Sequence, residues 1–129
     1  MRGSIFVTDD DPVIRSTVIE RLSRRRYMVA GFDSGEALLT AIDCIIPDLI
    51  LLDLKMPGLS GLDTLKAVRL KSSGSLIIML TAYGTIQDAV DAMKLGANDF
   101  IVKTVDLRGL DQAVDRALGI AHPAAVSPL

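Results

Sequence analysis

The chain has 129 residues, half of them hydrophobic, and a formal net charge of -2. That is the size and composition of one ordinary folded domain and excludes a disordered segment. The charge balance excludes a surface built for nucleic acid or another polyanion. Arg24-Arg25-Arg26 is too short a run to alter this and reads as a solvated helix end. The single cysteine, Cys44, excludes an intramolecular disulfide and a cysteine cage for a metal. It reads as a small buried or half-buried side chain following a helix.

In chain order, Ile5-Phe6-Val7 is a short β-branched and aromatic run and reads as the first strand. It ends in Thr8-Asp9-Asp10-Asp11-Pro12, where Asp11 and Pro12 form a helix cap and first-position pair. A helical period follows through Val13, Ile14, Thr17, Val18, Arg21 and Leu22, with Arg15 and Glu20 outward. Residues 27–32 read as the second strand, weakened at its end by Gly31. Asp33-Ser34-Gly35-Glu36 opens a second helix with Ala37, Leu38, Ala41 and Ile42 inward, and Pro47 ends the connection.

Leu49 to Leu52 is an unbroken apolar run bounded by turn signals, which reads as a strand buried on both faces. Such a strand cannot carry an unpaired charge in its middle. Asp53 is therefore expected at its C-terminal end, as the most exposed central carboxylate, opening onto the tight loop set by Pro57, Gly58 and Gly61. Ser60 caps a third helix with Leu62, Leu65, Val68 and Leu70 inward. Residues 72–75 form a loop, and residues 76–80 a fourth strand ending at Thr81-Ala82-Tyr83-Gly84.

Thr85 caps a fourth helix with Ile86, Ala89, Val90 and Met93 inward, closed by Gly96. Phe100-Ile101-Val102 is a fifth strand ending at Lys103. Asp106 caps a fifth helix with Leu107, Leu110, Val114, Ala117 and Leu118 inward. The expected organisation is one domain over residues 1–120. Residues 121–129 form a tail or the start of a linker to an absent output domain. The short apolar N-terminus does not fit a signal peptide. No apolar stretch approaches the roughly 18 residues of a membrane helix. The expected location is the cytoplasm, with no membrane contact and no direct nucleic-acid binding.

Five strands alternating strictly with five helices demand an α/β fold, a doubly wound parallel sheet with right-handed crossovers and helices on both faces. The C-terminal ends of parallel strands share one edge, where ligands bind. That edge should gather Asp9 and Asp10 after the first strand, Asp53 after the third, Thr81 after the fourth and Lys103 after the fifth. Taken singly, each is ordinary: an Asp pair can be a cap and a solvated neighbour, a strand-terminal Asp a cap, a lysine a surface charge. Together, three carboxylates must share protons or hold a divalent cation. With no histidine or cysteine near, hard oxygen ligands favour magnesium or manganese. An ammonium and a hydroxyl beside a carboxylate nucleophile are what an incoming phosphoryl group requires. Ala82 is small enough to leave it room.

Four segments carry a resemblance to a known family: Val7-Thr8-Asp9-Asp10, the run from Pro47 to Gly58, the run from Ile78 to Gly84, and Gly96-Ala97-Asn98-Asp99-Phe100-Ile101-Val102-Lys103. They resemble the receiver domains of two-component response regulators, in a style similar to nitrogen-regulation activators, and the resemblance covers residues 4 to 120. It implies a flavodoxin-like sheet of five parallel strands in the order 2-1-3-4-5. It implies Asp53 as phosphoacceptor, with Mg2+ (or Mn2+) bound by Asp10, Asp53 and the backbone carbonyl of Lys55, and by Asp9 through water. Asp11 keeps the capping role. Thr81 and Lys103 would contact the phosphoryl oxygens, and Thr81 with Phe100 would switch the surface of helix four, strand five and helix five.

The implied donor is the phosphohistidine of a sensor histidine kinase or a phosphotransfer protein. The output is a domain in cis or a partner protein, and the resemblance allows a phosphorylation-dependent homodimer through the switching face. The only chemistry would be on the chain itself, without turnover of a separate substrate. Two features depart from the family. Thr104 stands where a proline commonly follows the lysine, and a cis bond there would cost about 2.5–4 kcal/mol. Lys55 and Tyr83 flank the path of an attacking water and neither is a carboxylate or amide, so slow autodephosphorylation is expected. A phosphohydrolase with an aspartyl nucleophile is a competing reading, but it commonly needs an acid where Lys55 stands. A degenerate receiver serving only as a binding surface is disfavoured by the complete acidic set.

Overall fold

In the computed structural model, residues 3–71, 74–82, 84–103 and 107–119 are described. Five strands alternate with five helices: β1 (Ser4–Thr8), α1 (Pro12–Arg24), β2 (Met28–Phe32), α2 (Gly35–Ile42), β3 (Leu49–Leu52), α3 (Gly61–Lys71), β4 (Leu76–Thr81), α4 (Ile86–Lys94), β5 (Asp99–Val102) and α5 (Arg108–Ala117). The strands form one parallel sheet in the order β2-β1-β3-β4-β5. This is the expected flavodoxin-like arrangement. It follows from short apolar strands that each need a crossover helix to pair in parallel.

The central strands β1, β3 and β4 bury both faces, so their alternation sorts the core into two clusters, one on each side of the sheet. Ile50 and Leu52 of β3 pack with Leu38, Leu65, Val68 and Met79 on the α2–α3–α4 side. Leu49 and Leu51 pack with Val18, Leu22, Ile78, Leu110 and Val114 on the α1–α5 side. Leu49 through Leu52 are all at most 1% exposed, and each such side chain contributes about 1.5–3 kcal/mol of burial.

Capping residues set the helix starts. Asp11 accepts from the N–H groups of Val13 (2.9 Å) and Ile14 (3.2 Å) ahead of Pro12. Ser34 accepts from Ala37 N–H, Ser60 from Asp63 N–H, and Thr85 forms a reciprocal capping box with Asp88. Gly96 closes α4 at φ 108°. Helix α5 is preceded by Leu107 in the left-handed region (φ 54°) without a side-chain cap. The expected Asp106 cap, the Lys103–Thr104 bond, Tyr83 and the tail lie outside the described residues.

Several expectations are corrected. Leu70, expected inward, is 82% exposed, because it lies two residues, or about 200°, around the helix from buried Val68. On α4, Ile86 (87%), Val90 (39%) and Met93 (48%) face solvent, and Ala92 is the buried residue. The apolar stripe is real, but α4 sits beside the edge strand β5 and meets the sheet through a small side chain. Cys44 is exposed. Tyr27 lies just before β2 rather than in it, fully packed, with its hydroxyl 2.5 Å from Asp115. Arg25 is not a freely solvated end: it pairs with buried Asp115, while Arg24 pairs with Glu20 on the surface.

Candidate functional site

Register places the chemistry. Thr8 aligns with Leu52 and Thr81 with Val102, so the next residues, Asp9, Asp53 and Lys103, emerge together beside Thr81. The sheet ladder continues one step into the loops. Asp9 N–H donates to Phe32 O (3.1 Å), Asp53 N–H to Thr8 O (2.9 Å), and Lys103 N–H to Thr81 O (2.6 Å). The backbone at each strand end is therefore held by the sheet, and side chains converge without dependence on long loops.

One carboxylate oxygen each from Asp9, Asp10 and Asp53 lies within 4.8 Å of the others. Asp10 is exposed, whereas Asp9 and Asp53 are 4% and 7% exposed. Asp53, expected to be the most exposed of the three, is thus buried. The third strand ends level with β1 and two residues short of β4 in register, and the loop after it folds back, with Gly61 N–H donating to Leu54 O at 2.8 Å. A Cβ on Gly61 would stand 2.6 Å from Leu54 Cα and closer still to the Asp53 carbonyl. The absence of a side chain there is what lets α3 start directly beneath the acid.

Lys103 Nζ donates to Asp9 Oδ2 at 2.5 Å and stands 3.6 Å from Asp53 Oδ1. Asp53 Oδ1 also accepts from Leu54 N–H at 3.0 Å, and the Thr81 hydroxyl is a further donor to its carboxylate. Burial pushes the Asp53 carboxyl above the ordinary range, Asp9 beside it adds to the rise, and Lys103, Leu54 N–H and Thr81 oppose it. A cleft of about 310 Å3 opens over these groups. Lys55, Ala82, Asp11 and Ile14 complete its wall. Lys55 is exposed at the cleft, and Phe100 is half-buried and packs against the α2–α3–α4 side of the core. Every described residue expected at the site, other than Phe100, lines this one cleft.

The chain matches the model of the response regulator receiver domain over residues 5–115. It belongs to that family. Receivers are the phosphosignalling modules of two-component systems, and the fold and strand order agree with those of solved relatives. The chain is 35% identical over 126 residues to the transcriptional regulatory protein FixJ of Bradyrhizobium diazoefficiens, covering 98% of this chain and 62% of FixJ. It is 33% identical to NtrC of Klebsiella pneumoniae, covering 91% of this chain and 25% of NtrC. The chain thus spans less than two thirds of the length of these relatives.

Among solved structures, the response regulator TrrA of Thermotoga maritima, crystallised in complex with Mg(2+)-BeF, superposes with a TM-score of 0.81 at 32% identity. That match covers 88% of this chain and 97% of TrrA. The chemotaxis protein CheY4 of Vibrio cholerae gives a TM-score of 0.84 at 26% identity, covering 89% of this chain and 98% of CheY4. No helix of the described residues is long and apolar enough to cross a membrane.

Two contributors to the receiver site were not apparent from sequence. Leu54 N–H holds the Asp53 carboxylate, a backbone role that side-chain identity does not reveal. Arg15, expected outward, turns back so that Nη1 donates to Asp9 O at 2.7 Å. Its place four residues after the Asp11 cap, one turn along the same face, was the available signal.

Proposed function

We propose that this receiver domain accepts a phosphoryl group on Asp53 from a phosphohistidine of a sensor kinase or phosphotransfer protein. The observation that carries the reading is the convergence of three carboxylates within 4.8 Å, with the Thr81 hydroxyl on Asp53 and the Lys103 ammonium 3.6 Å from it. An ionised Asp53 oxygen attacks phosphorus, the bond from phosphorus to imidazole nitrogen breaks, and the imidazole leaves with the bonding pair. The product is an aspartyl phosphate.

The donor set fits a divalent cation: all ligand groups are hard oxygens, and two of them are buried acids that repel each other unless a positive charge lies between them. Asp10, Asp53 and the Lys55 carbonyl would hold Mg2+ or Mn2+, with Asp9 acting through water. When bound, the cation supplies charge neutralisation at the phosphoryl oxygens. Lys103 balances the remaining charge and Thr81 donates a hydrogen bond. Lys55 lines the cleft, and neither it nor Tyr83 carries a carboxylate or amide suited to orient water, which favours a long-lived phosphoryl group.

Phosphorylation adds about -1.5 to -2 charges at Asp53. Thr81 is drawn to the new oxygens, and Phe100 turns into the space vacated, changing the face of α4, β5 and α5. This is a population shift between two states that bind the phosphoryl group unequally. Exposed Ile86, Val90, Met93 and Val102 on that face support docking of an output domain, a partner protein or a second phosphorylated copy. On this reading residues 1–120 are the receiver and 121–129 a tail or linker, and the domain works in the cytoplasm without turning over a separate substrate.

The test is intact-protein mass after incubation with magnesium and acetyl phosphate. A gain of one phosphoryl group, lost in Asp53→Ala, is the expected result. Multiple turnover of a phosphomonoester would instead support a phosphohydrolase, and an unmodified protein a binding surface alone.

A further inference from the structure

Gly31 of β2 carries no role in the site described above and is exposed, yet α1 covers the side on which a Cβ would project. A Cβ there would meet Ile19 Cδ1 at 2.6 Å, Arg15 Cδ at 3.2 Å and Arg15 Cγ at 3.3 Å. The alkyl part of Arg15 therefore lies flat across the bare backbone at the end of β2. Its guanidinium continues past the strand to the carbonyl of Asp9, with Nη1 at 2.7 Å.

That carbonyl belongs to the peptide plane joining Asp9 to Asp10. Asp9 is held on every other side as well: its N–H by Phe32 O, Oδ1 by Asp11 N–H at 2.9 Å, and Oδ2 by Lys103. Asp10 is different. It is exposed, and its carboxylate has no side-chain partner among the described residues. The direction of its Cα–Cβ bond is set by the two peptide planes that flank it. One leads into the Asp11 cap, and the other is the plane that Arg15 grips.

We propose that Arg15, seated on Gly31, is a positioning residue that aims the Asp9–Asp10 acids at the divalent cation by holding the peptide between them. The proposal rests on the cation-binding reading of those acids. Its sign is diagnostic. A guanidinium acting only as a nearby positive charge repels a cation, so its removal would tighten metal binding. A guanidinium that orients the ligands does the opposite when removed, because losing an outer partner typically weakens metal affinity by about 10–100-fold.

The experiment measures Mn2+ affinity by electron paramagnetic resonance, with circular dichroism as the check on folding. Arg15→Met keeps the alkyl contact over Gly31 and removes charge and donors together. It should weaken Mn2+ binding by about tenfold, and Arg15→Lys, which restores one donor, should recover part of the loss. Gly31→Ala, which displaces Arg15 and Ile19 without touching an acid, should weaken binding in the same sense. Arg24→Ala, an exposed charge removed from the same helix, should leave affinity unchanged. Unchanged or tighter Mn2+ binding in folded Arg15→Met would overturn the role of Arg15 alone. Wild-type protein that binds no Mn2+ would overturn the cation site itself and this proposal with it. Should Arg15→Met not fold, the same two outcomes are read from Gly31→Ala.

Discussion

Lys103 is bonded to Asp9, at 2.5 Å, and stands off Asp53 at 3.6 Å. The ammonium thus sits between two buried acids and is committed to the one that is not the proposed acceptor. It is a shared counter-charge, and a phosphoryl group arriving on Asp53 would compete with Asp9 for it. All three groups are nearly water-free, with side chains 9% exposed or less, so the attraction is little screened. Lys103→Met should leave the two carboxylates without their ammonium counter-charge, and phosphorylation by acetyl phosphate with magnesium should slow on the order of 100-fold. Stopped reactions followed by mass would reveal this, and a wild-type rate would rule out the counter-charge role.

The raised Asp53 carboxyl has two consequences with opposite practical signs. As the proposed nucleophile and cation ligand, Asp53 must be ionised, so its proton competes with the metal and Mn2+ affinity should fall off on the acid side at a pH above the ordinary aspartate range, measured by titration against pH. For stability, the folded carboxyl binds its proton more readily than the unfolded one. The folded state therefore loses stability as pH rises from the ordinary range through the raised value. In the absence of divalent metal, Asp53→Asn should melt higher than wild type at neutral pH, and the two should converge in acid where Asp53 is already protonated. Thermal melts in a chelator across pH decide it, and an Asn variant less stable at neutral pH would contradict the burial argument.

Gly84 leaves room for Phe100. A Cβ at Gly84 would stand 2.7 and 2.8 Å from Phe100 Cε1 and Cζ, and 3.2 Å from Thr81 Cγ2. Gly84 is not among the residues with positive φ, so alanine suits the backbone and only the ring obstructs it. Gly84→Ala should cost about 1–3 kcal/mol through overpacking, and most of that cost should vanish in a Phe100→Ala background. A double-mutant cycle by urea unfolding measures the coupling. Additive effects would show that the loop and ring are independent.

Asp115 is fully buried on α5 and accepts from Tyr27 at 2.5 Å, with the Arg25 guanidinium paired to it. Arg21 reaches Asp111 one turn earlier, at 3.0 and 2.8 Å. These pairs fasten α5 to α1. Removing one member of a buried pair strands the other, so Asp115→Ala should lose about 3–5 kcal/mol. Tyr27→Phe, which leaves the ion pair intact, should lose only about 1–3 kcal/mol. Chemical denaturation of both variants tests the ordering.

The alternation of apolar runs with helical periods was enough to specify five parallel strands and the edge on which Asp9, Asp10, Asp53, Thr81 and Lys103 meet. A parallel crossover leaves strand ends no other side to occupy, and capping residues such as Asp11, Ser60 and Thr85 act within one turn of their own position. Long-range packing decided the rest. The burial of Asp53 depends on the loop after β3 folding back and on how Gly61 lets α3 approach. The choice of Asp9 by Lys103 depends on strand register. The exposure of Ile86 and Met93 depends on α4 lying at the sheet's edge, since a helical period marks an apolar stripe but not what covers it. Arg15 over Gly31 joins a helix to a neighbouring strand and a loop, and Asp115 with Tyr27 joins residues 88 apart. Contacts of that kind are set by where elements dock, a property no single segment encodes.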